Sequence, residues 1–316
     1  MQAVSVVVPV YNSETSLEEL VARLDAVLKQ QKLGAEVILV NDASRDGSWD
    51  KIRGLCQRYA FVQGINMMRN YGQHNALLCG IRMARNEVTI TIDDDLQHPP
   101  EEIPKMLAEL EQGFDVVYGT PLAEHHGFLR DLASKVTKIA LQDAMGAKTA
   151  RRVSAFRVFR TQLRDAFATY QGPFVSIDVL LTWGSTRFSS VEVKHVERPY
   201  GVSNYTFRKL LIHAMNMMTG FSVLPLQLAS MMGFAMTFFG LGVLALVFFR
   251  FAIYGHKVPG FSFLASIITI FSGAQMFAMG IMGEYLARMH FRSQERPTYT
   301  VRERLAADAR QPQGRI

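Results

Sequence analysis

From Val223 to Phe249 the chain carries no charged side chain. As an α-helix at ~1.5 Å per residue this run is about 40 Å long, more than the ~30 Å hydrocarbon core of a bilayer. That length predicts a membrane span. A second uncharged run, Phe261 to Met282, meets the same length rule. Only Arg250 to Gly260 separates them, so the two runs predict a transmembrane hairpin whose flanks lie on one side. The connector holds Arg250 and Lys257, whereas Arg288, Arg292, Arg296, Arg302 and Arg304 follow Gly283. An excess of Lys and Arg marks the cytoplasmic side. The expected protein is therefore multi-pass in the inner (cytoplasmic) membrane, with both termini cytoplasmic. Met1-Gln2-Ala3 runs straight into a strand pattern, with no basic n-region or apolar h-region, so no signal peptide is expected.

The apolar share, 49% against 20% charged, is concentrated after about residue 210, which leaves a more ordinary composition before it. The net charge of +6 is explained by Lys and Arg near the membrane, and nucleic-acid binding is not expected. Cys56 and Cys79 lack metal-type spacing and read as idle thiols.

The N-terminal part alternates strand and helix patterns. Val4–Asn12, Glu36–Val40, Val62–Asn66, Glu87–Ile92 and Asp115–Thr120 read as strands. Between them, Leu17, Leu20, Val21, Leu24, Val27 and Leu28 recur at helical spacing, and further helices are expected over Ser48–Tyr59, Asn75–Ala84 and Glu101–Gly113. Phe156–Arg160 and Val191–Val196 read as later strands. Such alternation predicts an α/β domain with a mainly parallel sheet and helices on both faces. Phe128–Gln142 and Phe207–Met218 interleave basic and apolar residues, as interfacial helices do.

The chemistry gathers at Thr91-Ile92-Asp93-Asp94-Asp95-Leu96-Gln97-His98-Pro99-Pro100. Three adjacent carboxylates repel one another and call for a cation. Their hard oxygens suit Mg²⁺ or Mn²⁺, which in turn hold phosphate oxygens. On extended chain Asp93 and Asp95 share a face, with Gln97 next on it, and Asp94 points away. A strand that ends in such a cluster places it at the carboxyl edge of the sheet, where open α/β sheets bind ligands. A phosphorylated soluble donor and a lipid acceptor would meet between this edge and the bilayer.

Several stretches together resemble the polyprenyl-phosphate glycosyltransferases, GT-A fold enzymes of family two that include dolichol-phosphate mannose synthase. They are Val7-Val8-Pro9-Val10-Tyr11-Asn12, Asn41-Asp42 with Ser44, Asp93-Asp94-Asp95-Leu96-Gln97 with Pro99-Pro100, and Gly280 to Arg288. Arg69-Asn70-Tyr71-Gly72-Gln73-His74 resembles the bacterial undecaprenyl-phosphate glucosyl and formamido-arabinosyl transferases. The resemblance implies inverting transfer of a sugar from a nucleotide-sugar, with a UDP-sugar favoured, to polyprenyl phosphate on the cytoplasmic face of the bilayer. The product would be a sugar donor for cell-envelope glycan or lipid modification.

It also implies roles. Pro9, Tyr11 and Asp42, with Asp94, bind the nucleotide. Asp93, Asp95 and Gln97 hold the metal, and Asp93, Asp95 and Arg130 are catalytic. Arg130, Ser134 and Lys135 meet the acceptor phosphate, and Arg198 and Ser203 belong to a loop that closes over the site. Family members form tetramers, so a homo-oligomer is implied. The domains expected are a GT-A domain over 1–205, an interface helix over 206–222, the hairpin over 223–287 and a basic tail over 288–316. Two departures stand out: the family often has Asp where this chain has Ala155, and Lys where it has Asn204. They leave a second reading, a non-catalytic membrane-anchored relative that binds nucleotide-sugar. A processive polysaccharide synthase would need more spans and a Gln-x-x-Arg-Trp motif, and neither is found.

Overall fold

A computed structural model describes residues 3–121, 153–172, 175–196, 224–254, 260–294 and 296–305. Its centre is strand β1 (Ala3–Val10), in which every residue from Val4 to Val10 is buried. A β-branched run buried on both faces must be covered on both faces. Val4, Val6, Val8 and Val10 pack with Leu17, Leu20 and Leu24 of helix α1 (Leu17–Gln30), while Val7 packs on the other side with Leu77 and Ile81 of helix α3 (Gln73–Met83). Gly80 of α3 lets that helix close on the sheet, because a Cβ there would collide with Val7 and press on Val40.

Strands β2 (Gly34–Asn41), β3 (Val62–Met67) and β4 (Val88–Thr91) surround β1, with helix α2 (Ser48–Arg58) between β2 and β3. Helix α4 (Ile103–Glu111), entered through a 3-10 turn at Pro100–Glu102, leads to β5 (Val116–Pro121). Then follow β6 (Arg157–Arg160), helix α5 (Ile177–Gly184) and β7 (Phe188–Val193). The eight-stranded order is β7-β5-β6-β4-β1-β2-β3-β8, where β8 is Val301–Leu305.

The sheet is mainly parallel, as expected, with antiparallel strands at two places that make it mixed. Pairs β1–β2, β1–β4, β2–β3 and β5–β7 are parallel, but β6 runs antiparallel between β4 and β5, and β8 runs antiparallel along β3. Strand spacing along a sequence carries no sign of an insertion such as β6. Strand β8 lies in what reads from sequence as a plain basic tail. Helix α5, only eight residues long, has too short an apolar pattern to be expected from sequence.

Helix α6 (Leu224–Tyr254) and helix α7 (Phe261–Ser293) follow the sheet domain. Within α6, Leu226–Ile253 is the one stretch among the described residues long and apolar enough to cross a membrane, and of its residues only Ala229 is buried. Arg250 belongs to this helix, so the connector is shorter than expected. Helix α7 is as long, and its residues 261–282 carry no charge. Glu284 and Arg288 pair at 2.7 Å one turn apart, as their spacing predicts.

Candidate active site

Three neighbouring strands, β1, β2 and β4, end at the same edge of the sheet. Beyond each end stands a non-glycine residue in the left-handed region: Asn12 (φ 56°), Ala43 (φ 52°) and Leu96 (φ 61°). Such a conformation costs ~1–2 kcal/mol per residue and persists where the surroundings enforce it, often at functional sites. Here the enforcing bonds are visible. Asn12 N–H donates to Ser44 Oγ (3.0 Å), Ser44 Oγ to Asn41 Oδ1 (2.5 Å), and Arg45 N–H to Asn12 Oδ1 (2.8 Å), so the loops after β1 and β2 are laced together. Leu96 is held by burial of its side chain in the core.

Asp42 directly follows β2 and is 2% exposed. Its two oxygens accept the N–H groups of Tyr71 and Gly72, both at 2.7 Å. Burial pushes its carboxyl above the ordinary value, and those two donors pull part of the way back. Pro9 is buried in β1 beside Val40, and Tyr11 leaves β1 with an exposed ring.

Strand β4 ends at Thr91, so the three carboxylates lie in a turn and not on extended chain. Their directions come from partners. Asp93 Oδ1 accepts from Gln73 Nε2 at 2.7 Å. Asp94 Oδ2 accepts from Tyr11 N–H (3.2 Å) and Ser13 Oγ (2.5 Å), across the gap to the loop after β1. Burial pushes the Asp94 carboxyl up to about 6, against the pull of Ser13 and Tyr11. Asp95 Oδ1 accepts from Gln97 N–H at 3.1 Å and closes the turn. Beyond it, Val196 N–H donates to Gln97 O (3.0 Å), and the Gln97 amide nitrogen stands 3.5 Å from His195 Nε2. His98 is buried between the rings of Phe156 and His195, at 5.5 and 5.2 Å.

A buried polar layer supports the turn. The Arg157 guanidinium donates to both Asp178 oxygens (2.9 and 3.1 Å) and to Thr91 Oγ1 (3.1 Å). Thr91 Oγ1 donates to Ala155 O (2.9 Å), and the Tyr118 hydroxyl donates to Asp178 (3.3 Å). Asp178 neutralises this arginine.

The structure thus brings Pro9, Tyr11, Asp42, Asp93, Asp94, Asp95 and Gln97 to one edge. Arg130, Ser134, Lys135, Arg198, Ser203 and Asn204, and both amphipathic helices, lie outside the described residues. Sequence reasoning missed four participants. Gln73 sat in a loop already noticed, Ser13 read as helix-cap chemistry, Asp178 was one acid in an apolar helix, and His195 lay in a strand pattern.

Among the described residues no three His, Cys, Asp or Glu side chains form a protein-only cation cage. Two carboxylates and an amide nevertheless fit a hard divalent ion that shares its remaining positions with phosphate oxygens and water.

A family model described as "Glycosyl transferase family 2" matches residues 5–167, which span β1 to the 3-10 stretch Thr161–Phe167 after β6. The chain belongs to glycosyl transferase family 2. Within the family it is similar to the undecaprenyl-phosphate 4-deoxy-4-formamido-L-arabinose transferase of Pseudomonas fluorescens, 36% identical over 95% of this chain and 89% of that one. The enzyme of the same name from Proteus mirabilis is 34% identical over 95% and 93%. Among solved structures, glucosyl-3-phosphoglycerate synthase from Mycobacterium tuberculosis, in complex with Mn²⁺, UDP-glucose and phosphoglyceric acid, superposes with a TM-score of 0.52. It is 16% identical and covers 69% of this chain and 78% of that one, a likeness of fold. The sheet domain of this family 2 member is thus a GT-A, Rossmann-like fold.

Proposed function

We propose that this chain transfers a sugar from a nucleoside-diphosphate sugar, a UDP-sugar first of all, to polyprenyl phosphate at the cytoplasmic surface of a membrane. The observation that carries the reading is the convergence of Asp42, Asp93, Asp94 and Asp95 at the carboxyl edge of β1, β2 and β4. The names of the curated relatives point to the same acceptor. Asp42 and Tyr11 would receive the base and ribose, with Pro9 behind them. Asp93, Asp95 and Gln97 would hold Mg²⁺ or Mn²⁺, which when bound stabilises the departing diphosphate.

The acceptor oxygen of a lipid phosphate is already ionised near pH 7, so no side chain must remove a proton from it. What the protein supplies is alignment of two anions behind C1 of the sugar and charge to offset them. Arg130, Ser134 and Lys135 are assigned that task, and Arg198 and Ser203 the loop above. A single in-line displacement inverts C1. Because no general base is required, Ala155 in place of an acid is compatible with turnover.

Strand β8 supports a hairpin arrangement in the membrane. Strand β8 comes after α6 and α7 in the chain yet pairs with β3 of the sheet domain. Both flanks of the helix pair therefore lie on one side, and if α6 crosses the bilayer α7 crosses back. The proposed protein is a hairpin-anchored, multi-pass enzyme of the cytoplasmic membrane.

The test is nucleotide release by detergent-purified protein given undecaprenyl phosphate, Mn²⁺ or Mg²⁺, and a panel of UDP-, GDP- and TDP-sugars. Release that needs lipid, metal and one donor supports transfer and names the sugar. Folded protein that binds a nucleotide-sugar yet releases nothing with any donor would replace this reading by a non-catalytic one.

A further inference from the structure

The loop between β3 and α3, together with the first residue of α3, holds Asp42 and Asp93 on consecutive residues. The N–H groups of Tyr71 and Gly72 hold Asp42, and the side chain of Gln73 holds Asp93. Gly72 (φ +93°) makes the turn that allows this, in a conformation few side chains adopt. Whatever sets this loop sets both carboxylates.

The outer side of that loop is held by the far end of the chain. Met68 N–H donates to Thr300 O (2.9 Å), and Arg302 Nη2 donates to Met68 O (3.2 Å), so both backbone groups of the loop's first residue are bound by the segment entering β8. Thr300 also bonds the Tyr71 side chain, and the Arg69 guanidinium lies 4.6 Å over the Tyr71 ring. The pairing of β3 with β8 slips register between Asn66 and Met67, next to the loop. A bulge there re-aims the strand end, as bulges beside sites do. Farther along, Arg53 and Glu303 pair at 3.0 Å on the exposed side of β8, away from the loop.

We propose that the segment Thr300–Leu305, which follows the second long helix, is a positioning element of the donor site. It fixes the 68–73 loop, and through it the directions of Asp42 and Asp93, so that nucleotide affinity depends on chain that returns from the membrane helices. The inference rests on the donor-site reading above for its ligand, but not for its mechanics.

Two readouts on the detergent-solubilised full chain test it: amide hydrogen exchange at Tyr71 and Gly72, and titration with UDP plus Mn²⁺. Arg302→Ala removes one bond to the loop and should speed exchange at those amides and weaken UDP about threefold, as one modest hydrogen bond does. Deleting residues 296–316 should give a larger change in both, with α6 and α7 still present. Arg53→Ala, which loosens β8 without touching the loop, should change neither by more than about twofold, as an exposed ion pair would. Unchanged exchange at Tyr71 and Gly72 in Arg302→Ala overturns the proposal, as does an Arg53→Ala effect equal to that of Arg302→Ala. If the deletion does not fold, Arg302→Ala decides. If the parent protein binds no UDP with Mn²⁺, the donor reading falls and hydrogen exchange alone judges the brace.

Discussion

The sheet domain and the helix pair use the same apolar residue types and do opposite things with them. In the sheet, Val6, Val7, Ile38, Leu39 and Val40 have no exposed surface. In α6, Phe238 is 71% and Phe248 72% exposed. Burying such a side chain is worth ~1.5–3 kcal/mol. The sheet obtains that from its own helices, whereas the chain itself leaves these side chains of α6 uncovered. Run length separates the two cases. Apolar runs in the sheet stop after a handful of residues at Asn, Asp or Gly and double back, while the run in α6 continues past the width of any layer that could cover it. Polar residues divide in the same way. In the sheet domain they make a wired edge, and in α6 Ser230 and Thr237 return their hydroxyls to the carbonyls one turn back.

Six substitutions would break or sharpen this division. Asp95→Ala should lower lipid-dependent nucleotide release by ~100-fold or more, on the scale of losing a key electrostatic group, with no change in thermal melting. A fully active variant would remove the acidic turn from the chemistry. Next in size, Arg157→Met leaves Asp178 buried without its partner and should cost ~3–5 kcal/mol in denaturant unfolding of the sheet domain. Adding Asp178→Leu to it should cost less than the two single changes summed, because the second removes the orphaned charge. Third, Leu39→Ala should cost ~2–5 kcal/mol in the same measurement. Phe248→Ala should stay within ~0.5 kcal/mol there, and a matching loss would mean that α6 is part of the sheet domain's core. Smallest, Arg53→Ala should cost less than ~1 kcal/mol, since its ion pair with Glu303 is exposed.

Much of the sheet was legible because β1, β2 and α1 have unambiguous periods and are bounded by turn residues. Strands β6 and β8 were harder. Arg157–Arg160 was visible as a strand, but its place between β4 and β5 depends on pairing across distant sequence. Arg302, Glu303 and Arg304 make β8 look like a solvated tail, and only its register on β3 makes it sheet. At the site the acids were evident, but their orientation was not. The sequence alone suggests extended chain through Asp95, whereas β4 stops at Thr91 and Gln73, Ser13 and the Gln97 N–H aim the three carboxylates one by one. Those partners come from three different segments, and no local pattern announces them. Asp178 shows the same limit, since a single acid in Ile177-Asp178-Val179-Leu180 becomes meaningful only when Arg157 is placed against it.

Strand β8 also has a consequence in time. Arg302 bonds Met68 across 234 positions of sequence, and every residue of both long helices is synthesised between them. A growing chain can build β1 to β4 early, but the free edge of β3 stays open until the helices have emerged and been placed. An open edge strand invites pairing with other chains, and distant partners are the slowest to find. Closure of the sheet thus falls after synthesis of both long helices, so a copy whose β8 fails to return keeps its β3 edge unpaired.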